Sequence, residues 1–491
     1  SRSGAFLYVE FAEDYFHNPT KIAMHLIGTL FNRHHELNIL KKRYILNTRF
    51  GLRPIRATSQ YWLTLFLMSL MVVMPSAAES SLTANSCDQL HGVVTTMDLK
   101  HAWSGTTRLR ELESTCTRLE NDRTYWQKVL YWQSRATAEN LLGNHSRALS
   151  YRDEMIRQHP DGVQANVALP RHATSIPAIS YVVEQARNHR VVMVNEEHHI
   201  STDRLFSLAL LHPLYEQGYR YLAVEAVWTG ERDLNERGYP VRESGFYVSD
   251  VVFAELLRSA VALGYKIVPY EATYEQSQAS DDMNELQARD YWQAQNLISE
   301  TIDQDPNAKV LVHCGLQHIE EEVSSRWWPM AYYFREATGL DPLTVDQTLL
   351  AERGSKDLEH GWRRDAEARG LVSDDSVVLL DGEGAPLLVD SNKVDMHVLT
   401  PRTTISNGRP MWMVMNGGRT RFPIDTMECV EEACVIEVFE ANWVERAVPY
   451  DRIEVVMDFV DLYLPRGTKV DIRAHRLNGS LVFQRRVKTP M

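Results

Sequence analysis

The chain has 491 residues, of which 44% are hydrophobic and 24% charged, so it is a globular protein long enough for about two to four domains. Its formal net charge of -13 argues against a mainly nucleic-acid-binding role, because binding phosphates requires a positive surface. The acidic balance by itself indicates no other partner.

The first predicted element is a leader at residues 1–78. Basic residues precede an apolar run, WLTLFLMSLMVVM (62–74), and the small residues Ser76 and Ala78 follow it. This order is typical of a secretory signal peptide, here at about residues 57–78. The run is shorter than the roughly 20 apolar residues of a membrane span, which favours a cleaved signal peptide. The alternative is an uncleaved anchor. We expect an exported protein, periplasmic or secreted, that contacts a membrane only if the leader stays attached.

Export would place the five cysteines in an oxidising compartment, where disulfides form. The cysteines are Cys87, Cys116, Cys314, Cys429 and Cys434. The natural local pairs are Cys87–Cys116 and Cys429–Cys434, which leaves Cys314 alone. Four cysteines allow three connectivities, so these disulfide bonds are a prediction.

Residues 79–166 predict helices. Apolar residues recur at helical spacing in TYWQKVLYWQSRATAENLLGNHSRALSYRDEMIRQHP, and Gly143-Asn144 divides the run into a hairpin. The pattern is similar to one tetratricopeptide-like unit. Because a solenoid needs several repeats to bury its faces, a helical collar on the next domain is the better prediction.

Residues 167–350 alternate between strand and helix patterns. The apolar runs are RVVMV (190–194), YRYLAV (219–224), YKIVP (265–269) and KVLVH (309–313), and the helical patterns are 202–217, 249–263 and 281–303. Ser249-Asp250 and Ser280-Asp281 offer N-caps for two of the helices. Nearly all-apolar strands in this rhythm predict an α/β domain with a mostly parallel, doubly wound sheet covered on both faces.

The C-terminal part has a different pattern. Residues 351–374 are highly charged and predict a linker or connecting helix. Residues 375–491 contain short β-prone runs separated by Gly, Pro and Asn, namely SVVLL, PLLVD, MWMVM, CVIEVFE, IEVVM and SLVFQRRV. Such spacing predicts a small β-sandwich or barrel.

Polar residues stand at the carboxyl end of each predicted parallel strand. They are Glu196, Glu197, His198 and His199 after the first strand, Glu225 after the second, Glu271 after the third and His318 after the fourth. Open parallel sheets gather ligands and catalytic groups at this edge. We therefore expect these side chains to converge, although any one of them alone is more simply a surface acid or a hydrogen-bonded core histidine.

Such a cluster can do three kinds of chemistry. A glutamate can take a proton from water while a histidine stabilises or protonates the leaving group. A divalent transition metal could instead be held, by Glu196, His198, Glu225 and His318. Haem iron could bind an axial histidine, with a flat apolar site lined by Tyr270, Trp327 and Trp328.

The segment ARDYWQAQN (288–296) supplies a second polar pattern. Arg289, Gln293 and Asn296 are spaced i, i+4 and i+7, so they share one helix face. This face could reach the cleft and either clamp a substrate carboxylate or orient Glu225. The alternative is a solvated helix face.

Three stretches together resemble the erythromycin esterase and ChaN-like superfamily, and more distantly the TraB and Tiki proteins. They are NEEHHISTDRLFSLALLHPLYEQGYRYLAVEA, RDYWQAQN and VLVHCGLQHI, and the resemblance covers roughly residues 190–320. The family pattern has Gly-Glu, a nearby His, a Glu closing the next strand, an Arg-Asp helix ending in Ala-x-Asn, and a strand leading to His. It matches Glu196, His199, Glu225, Arg289, Asp290, Asn296 and His318.

The chain departs from the family pattern at three points. Asn195 stands where the family has glycine, which would alter a tight turn if that position has positive φ. The spacing Glu-x-x-His selects His199, whereas Glu-x-His selects His198. The motif GLQH has the form of the ChaN and Tiki branches, and Gly315 stands where the esterases usually have a second histidine. The substrate therefore cannot be transferred from one branch.

The resemblance implies an exported hydrolase that cleaves an ester, lactone or amide of a small-molecule or peptide substrate. Glu196 would be the general base, and one of His198 and His199 would act with His318 on the scissile carbonyl or a metal. Glu225 would orient a histidine or share a proton. The expected substrate-binding residues are Arg289, Asp290, Asn296 and Glu271. The alternatives are a haem- or metal-binding ChaN-like protein without hydrolase activity, and a catalytically inactive interaction protein.

Overall fold

A computed structural model describes residues 125–157, 166–278, 283–324, 327–389, 393–415, 417–444 and 446–491. These residues belong to a single compact unit. The predicted leader, its signal peptide, Cys87 and Cys116 lie outside the described residues. No helix within the described ranges is long and apolar enough to cross a membrane.

The described chain alternates helices and strands up to residue 400 and is mainly β-structured after it. The helices are α1 Tyr125–Leu141, α2 His145–Arg157, α3 Ala178–Gln185, α4 Ser201–Glu216, α5 Leu234–Arg237, α6 Val251–Leu263, α7 Tyr274–Gln278, α8 Glu285–Glu300, α9 Met330–Thr338 and α10 Gly361–Ala368. The strands are β1 Thr174–Pro177, β2 Val191–Glu196, β3 Tyr221–Val224, β4 Lys266–Pro269, β5 Val310–Gly315, β6 Leu343–Asp346, β7 Val377–Leu380, β8 Met396–Leu399, β9 Ile405–Ser406, β10 Arg409–Pro410, β11 Arg419–Asp425, β12 Cys434–Glu440, β13 Asp451–Val455, β14 Phe459–Pro465, β15 Lys469–Arg476 and β16 Leu481–Lys488.

An eight-stranded sheet in the order β1-β7-β8-β6-β2-β5-β3-β4 forms the centre of the α/β part. The six strands from β8 to β4 are parallel. All residues of β2 and β5 are buried, because one apolar cluster including Leu210 and Phe253 covers one face and another including Leu297 and Phe334 covers the other. This confirms the predicted mostly parallel α/β sheet.

The helix starts show how local sequence sets the elements around the sheet. Asp250 caps α6 as predicted, since its carboxylate accepts the N–H groups of Val252 and Phe253. The predicted cap for the next long helix is wrong. That helix, α8, begins after Asn284, whose side chain accepts the N–H of Gln287, and Ser280-Asp281 lie outside the described residues.

The segment 351–374, predicted as a linker or connecting helix, contains a helix, whereas the boundary predicted at 375 falls inside the α/β part. Strands β7 and β8 belong to the large sheet, with β8 parallel to β6 and β7 antiparallel to β8. Segment 351–374 contains α10, which buries Trp362 and Ala366 in the same apolar cluster as β7. The apolar residues of this segment thus make it part of the α/β core, although its many charges predicted a linker or connecting helix.

The strands after residue 400 are antiparallel and form a short pair, β10-β9, and two larger sheets, β11-β14 and β13-β12-β15-β16. Residues from both larger sheets, including Ile424, Leu462, Ile436 and Ile472, share one apolar core. MWMVM, predicted to be a strand, is a 3-10 helix at Met411–Val414, because its methionines pack against the start of α6 rather than alternating across a sheet. The disulfide Cys429–Cys434 confirms one predicted pair, and Cys314 is a buried free cysteine.

Helices α1 and α2 form the predicted hairpin around a Gly143 turn with φ +75°. Polar contacts attach the hairpin to the α/β part. The Asn140 amide donates to Asp250 Oδ2 at 3.1 Å, and Arg152 makes two hydrogen bonds to Glu197. The hairpin therefore packs beside the carboxyl edge of the parallel strands.

Candidate functional site

Glu196, the last residue of β2, is the centre of the first half of the site. Its Oε1 lies 2.7 Å from Nδ1 of His198, and its Oε2 lies 2.7 Å from Nε2 of His313. Arg204 donates to both oxygens, at 2.7 and 3.0 Å. Burial would raise the pKa of Glu196, but the charges of Arg204 and His313 hold it well below its usual value. Glu196 is therefore a fixed carboxylate and a weak base.

His313 and Arg204 were not predicted as site residues. His313 lies inside β5, where the apolar run KVLVH conceals it, and its Nδ1 is 2.9 Å from Oγ of Ser207. Arg204 and Ser207 are three residues apart on one face of α4, from which Arg204 reaches Glu196 of β2 and Ser207 reaches His313 of β5. An arginine and a serine at this spacing in a mostly apolar helix were the available signal.

Gly315 joins the two halves of the site. A Cβ added there would lie 2.7 Å from Nε2 of His198 and 3.3 Å from Oε2 of Glu225. The Gly315 N–H donates to the same Glu225 oxygen at 2.5 Å. These two side chains therefore converge on the space that a side chain at position 315 would fill, which explains why the residue there is glycine.

His198 is held on its other sides as well. Its ring stacks on Tyr247 with the centroids 4.1 Å apart and the planes 13° apart. Because Nδ1 faces the Glu196 carboxylate, Nδ1 carries the ring proton in the neutral form and Nε2 is the basic nitrogen. The ring orientation thus directs the basic nitrogen toward Gly315 and Glu225.

Arg289 organises the second half of the site. From α8 it donates to Oε1 of Glu225 at 2.5 Å and to the two oxygens of Glu271 at 3.1 and 2.6 Å. Its Nη1 lies 3.1 Å from Nε2 of His318. The carboxyl ends of β3, β4 and β5 therefore meet at one guanidinium.

His318 forms a second carboxylate–imidazole pair. Its Nδ1 lies 2.8 Å from Oδ1 of Asp290, and Asp290 also accepts the indole N–H of Trp327 at 2.9 Å. Leu316 connects β5 to this histidine with φ 31°, a left-handed conformation that is strained for a leucine. The strain is maintained by an amide donor, since Asn195 donates to the Leu316 carbonyl at 2.8 Å.

Asn195, which replaces the family glycine, has an ordinary strand conformation in β2 and no positive φ. Besides Leu316, its amide contacts Oδ1 of Asp346 at 2.6 Å, and its side-chain oxygen accepts the Gln347 N–H at 2.9 Å. The asparagine thus connects β2 to the turns after β5 and β6 without disturbing the chain that leads to Glu196.

Glu197 and His199 point away from the cluster. Glu197 accepts two hydrogen bonds from Arg152 at 2.8 and 2.7 Å and one from Arg353 at 3.0 Å. His199 lies 3.5 Å from Glu197, and burial lowers its pKa to about 4. Of the two adjacent histidines that the sequence left open, His198 faces the space beside Gly315 that Glu225 also borders. His199 instead lies beside the structural joint formed by Glu197, Arg152 of α2 and Arg353.

The rest of the polar face of α8 supports the site from behind. Gln293 donates to both Glu271 oxygens at 3.2 Å. Asn296 donates to the carbonyls of Tyr270 and Glu271 at 3.2 and 3.0 Å. The alternative of a solvated face is wrong for this helix, but Asn296 fixes the backbone after β4 and has no contact with the histidines that the structure records.

The residues do not fit a metal centre as they are arranged. Among the described residues no group of three or more His, Cys, Asp and Glu side chains is placed to hold a metal ion. The oxygens of Glu196 and Glu225 accept from arginines, and a guanidinium repels a bound cation. The aromatic residues considered for haem are dispersed, because Tyr270 lies in the apolar core beneath the sheet while Trp328 is 40% exposed.

The arrangement suits proton transfer in a buried site. Two imidazoles are each oriented by a carboxylate through Nδ1. Nε2 of His318 lies 3.5 Å from Oε1 of Glu225, and Nε2 of His198 faces the space beside Gly315 that Oε2 of Glu225 also borders. The four groups Glu196, His198, Glu225 and His318 are 1–5% exposed. Charges at such depth interact more strongly than in water.

Comparisons with known proteins give no family for this chain. No family model matches the chain, and no curated protein matches it. Among solved structures, the chain is similar to the type III effector HopBA1 at 14% identity, with 40% of this chain and 95% of that chain covered and a TM-score of 0.26. Two structures described as bacterial protein toxins match at 11% and 13% identity, covering 68% and 66% of this chain and 82% and 76% of theirs, each with a TM-score of 0.27. Likenesses this distant carry no inference about activity.

Proposed function

We propose that the chain is a hydrolase in which His198 is the general base that activates water. The observation that carries this proposal is the Glu196–His198 pair, in which a carboxylate fixed by Arg204 orients the imidazole toward Gly315 and Glu225. A carboxylate that holds Nδ1 fixes the tautomer and stabilises the imidazolium that forms when Nε2 takes a proton. The expected substrate is an ester, lactone or amide.

The reaction has two proton transfers that balance. His198 Nε2 takes a proton from water while the water oxygen bonds to the carbonyl carbon, which gives a tetrahedral intermediate. When the bond from that carbon to the leaving oxygen or nitrogen breaks, His198 returns the proton to the leaving group. The guanidinium of Arg289, beside Glu225 and His318, is the positive charge that would stabilise the developing oxyanion.

This assignment differs from the role that the family resemblance implied for Glu196. A carboxylate with a lowered pKa and both oxygens engaged is a poor proton acceptor. We therefore assign Glu196 to orienting His198. The relationship to the erythromycin esterase and ChaN-like superfamily remains a proposal, as does export, which the disulfide Cys429–Cys434 supports.

The test is a panel of chromogenic esters, lactones and amides assayed with the wild type and two variants. We expect His198→Gln to lower kcat by about 100- to 10,000-fold, the usual contribution of a general base. His199→Gln is the matched control, an adjacent histidine of equal burial that faces away, and it should keep most of the activity. Full activity in His198→Gln would refute the proposal.

A further inference from the structure

One face of the His198 imidazole is covered by a segment between β3 and α6. Residues 239–250 lead into α6, and they carry Tyr247, whose ring is 2% exposed and stacks on His198. At Gly245 the backbone packs so tightly that an added Cβ would lie 2.0 Å from the Ala226 carbonyl oxygen. The segment therefore lies directly on the chain leaving β3 and on the imidazole.

The C-terminal strands hold this segment at its first end. Val241 pairs with Ala447 in an antiparallel bridge. The Arg242 N–H donates to the Arg446 carbonyl at 3.0 Å, and the Val448 N–H donates to the Pro240 carbonyl at 3.1 Å. The segment is thus paired, backbone to backbone, with the loop between β12 and β13.

Aromatic contacts strengthen the same end. Tyr239 stacks on Trp443 with the centroids 4.8 Å apart and the planes 22° apart. Trp443 also contacts Tyr450 at 4.4 Å, and Arg258 of α6 lies over both rings. Trp443 of the β12–β13 loop therefore contacts both the segment 239–250 and α6.

The other end of the segment is held by β13. Arg452 donates to the Ser249 carbonyl at 3.0 Å, while its Nε is fixed by Glu437 at 2.8 Å. Asp250, the next residue, contacts Arg204 at 3.3 Å, and Arg204 binds Glu196. The C-terminal strands thus hold both sides of Tyr247.

From these contacts we infer that residues 239–250 are a gate over His198 and that the C-terminal strands are its latch. A substrate reaches a base that is 5% exposed only after a local opening. Releasing the contacts of Trp443 and Ala447 frees the Tyr247 ring from the imidazole. The C-terminal strands therefore regulate access to the site. The inference rests on the proposed function only for its consequence, because the gate covers His198 whatever reaction follows.

The test uses diethylpyrocarbonate, which modifies accessible neutral imidazoles, with mass spectrometry of the peptide that contains His198. All proteins carry His199→Gln, so that this peptide reports His198 alone. We expect Trp443→Ala to raise the modification rate about tenfold or more, since it weakens the closed state. Trp328→Ala, at a 40% exposed tryptophan that contacts Tyr332 and Tyr333, is the matched control and should leave the rate unchanged.

A second variant locks the gate instead of loosening it. Val241 and Ala447 form the kind of antiparallel pair whose Cα atoms are close enough for a disulfide. Oxidised Val241→Cys/Ala447→Cys should slow both the modification of His198 and any hydrolysis, and dithiothreitol should restore both. The same reductant on the parent protein controls for the disulfide Cys429–Cys434.

The outcomes separate the gate from the hydrolase. A His198 modification rate that neither variant changes would overturn the gate. An absence of hydrolysis in the unlocked protein, together with modification that follows the latch, would refute the hydrolase and leave the gate supported.

Discussion

Glu196 and His198 contrast with their immediate neighbours Glu197 and His199. The four residues are consecutive at the end of β2, and all are 1–5% exposed. Glu196 contacts Arg204 and two imidazoles, whereas Glu197 accepts from Arg152 of α2 and from Arg353 and so connects both to the end of β2. Burial and charge density therefore do not separate a reactive site from a structural joint. The orientation of the imidazoles does.

The largest expected effect on stability comes from breaking the structural joint of Glu197 with Arg152 and Arg353. Glu197→Ala leaves Arg152 and Arg353 buried without their shared counterion. Removing one partner of a buried ion pair costs about 3–5 kcal/mol, because the remaining charge has lost both water and its partner. We expect the free energy of unfolding to fall by that amount in urea titrations.

The control for this prediction is Glu184→Ala. Glu184 also pairs with an arginine, Arg187, at 2.7 Å, but both side chains are more than 60% exposed. Such pairs contribute about 0–1 kcal/mol. If the two variants lose equal stability, Glu197 does not have the structural role assigned to it here.

The convergence of the site was predictable because parallel strands share one carboxyl edge. The position of polar residues after apolar runs predicted that Glu225, Glu271 and His318 would meet, as they do at Arg289. Glu196 is linked to them through His198, whose Nε2 faces the same Gly315 space as Glu225. The large parallel sheet followed from the same runs. The C-terminal boundary did not, because SVVLL reads equally well as a strand of a parallel or of an antiparallel sheet.

The remaining site residues could not be predicted, because their roles depend on the tertiary structure. His313 ends an apolar run whose side chains are buried on both faces of the sheet, so alternation gave no direction for it. Tyr247 lies in an irregular segment without periodicity. The choice between His198 and His199 depends on Arg152, which comes from a different helix.

The second expected effect is a pH dependence of stability that arises from His199, which lies beside Glu197. Burial lowers the pKa of His199 from 6.5 to about 4 in the folded chain. As pH falls below 6.5, the unfolded chain binds a proton at this residue and the folded chain does not, so stability falls until the pH reaches about 4. The full loss from this residue is about 3 kcal/mol.

The measurement is the difference in unfolding free energy between the wild type and His199→Gln at several pH values. The difference removes contributions of other groups, including His145, whose pKa burial also lowers to about 4. We expect the wild type to lose more stability than the variant between pH 7 and pH 4. Parallel curves would mean that His199 titrates normally and is not held neutral in the joint.

The smallest expected effect on stability concerns Gly315, which lies between His198 and Glu225 in the candidate site. In Gly315→Ala the new methyl group would lie 2.7 Å from Nε2 of His198, and this ring cannot yield easily because Tyr247 and Glu196 hold it. Overpacking of this kind costs about 1–3 kcal/mol, and the displaced imidazole should lose activity out of proportion to that cost. Gly230→Ala is the matched control, since a Cβ there would meet no atom within 4 Å. If Gly315→Ala matches Gly230→Ala in both unfolding free energy and kcat, His198 does not act from the position that the Glu196 pair gives it.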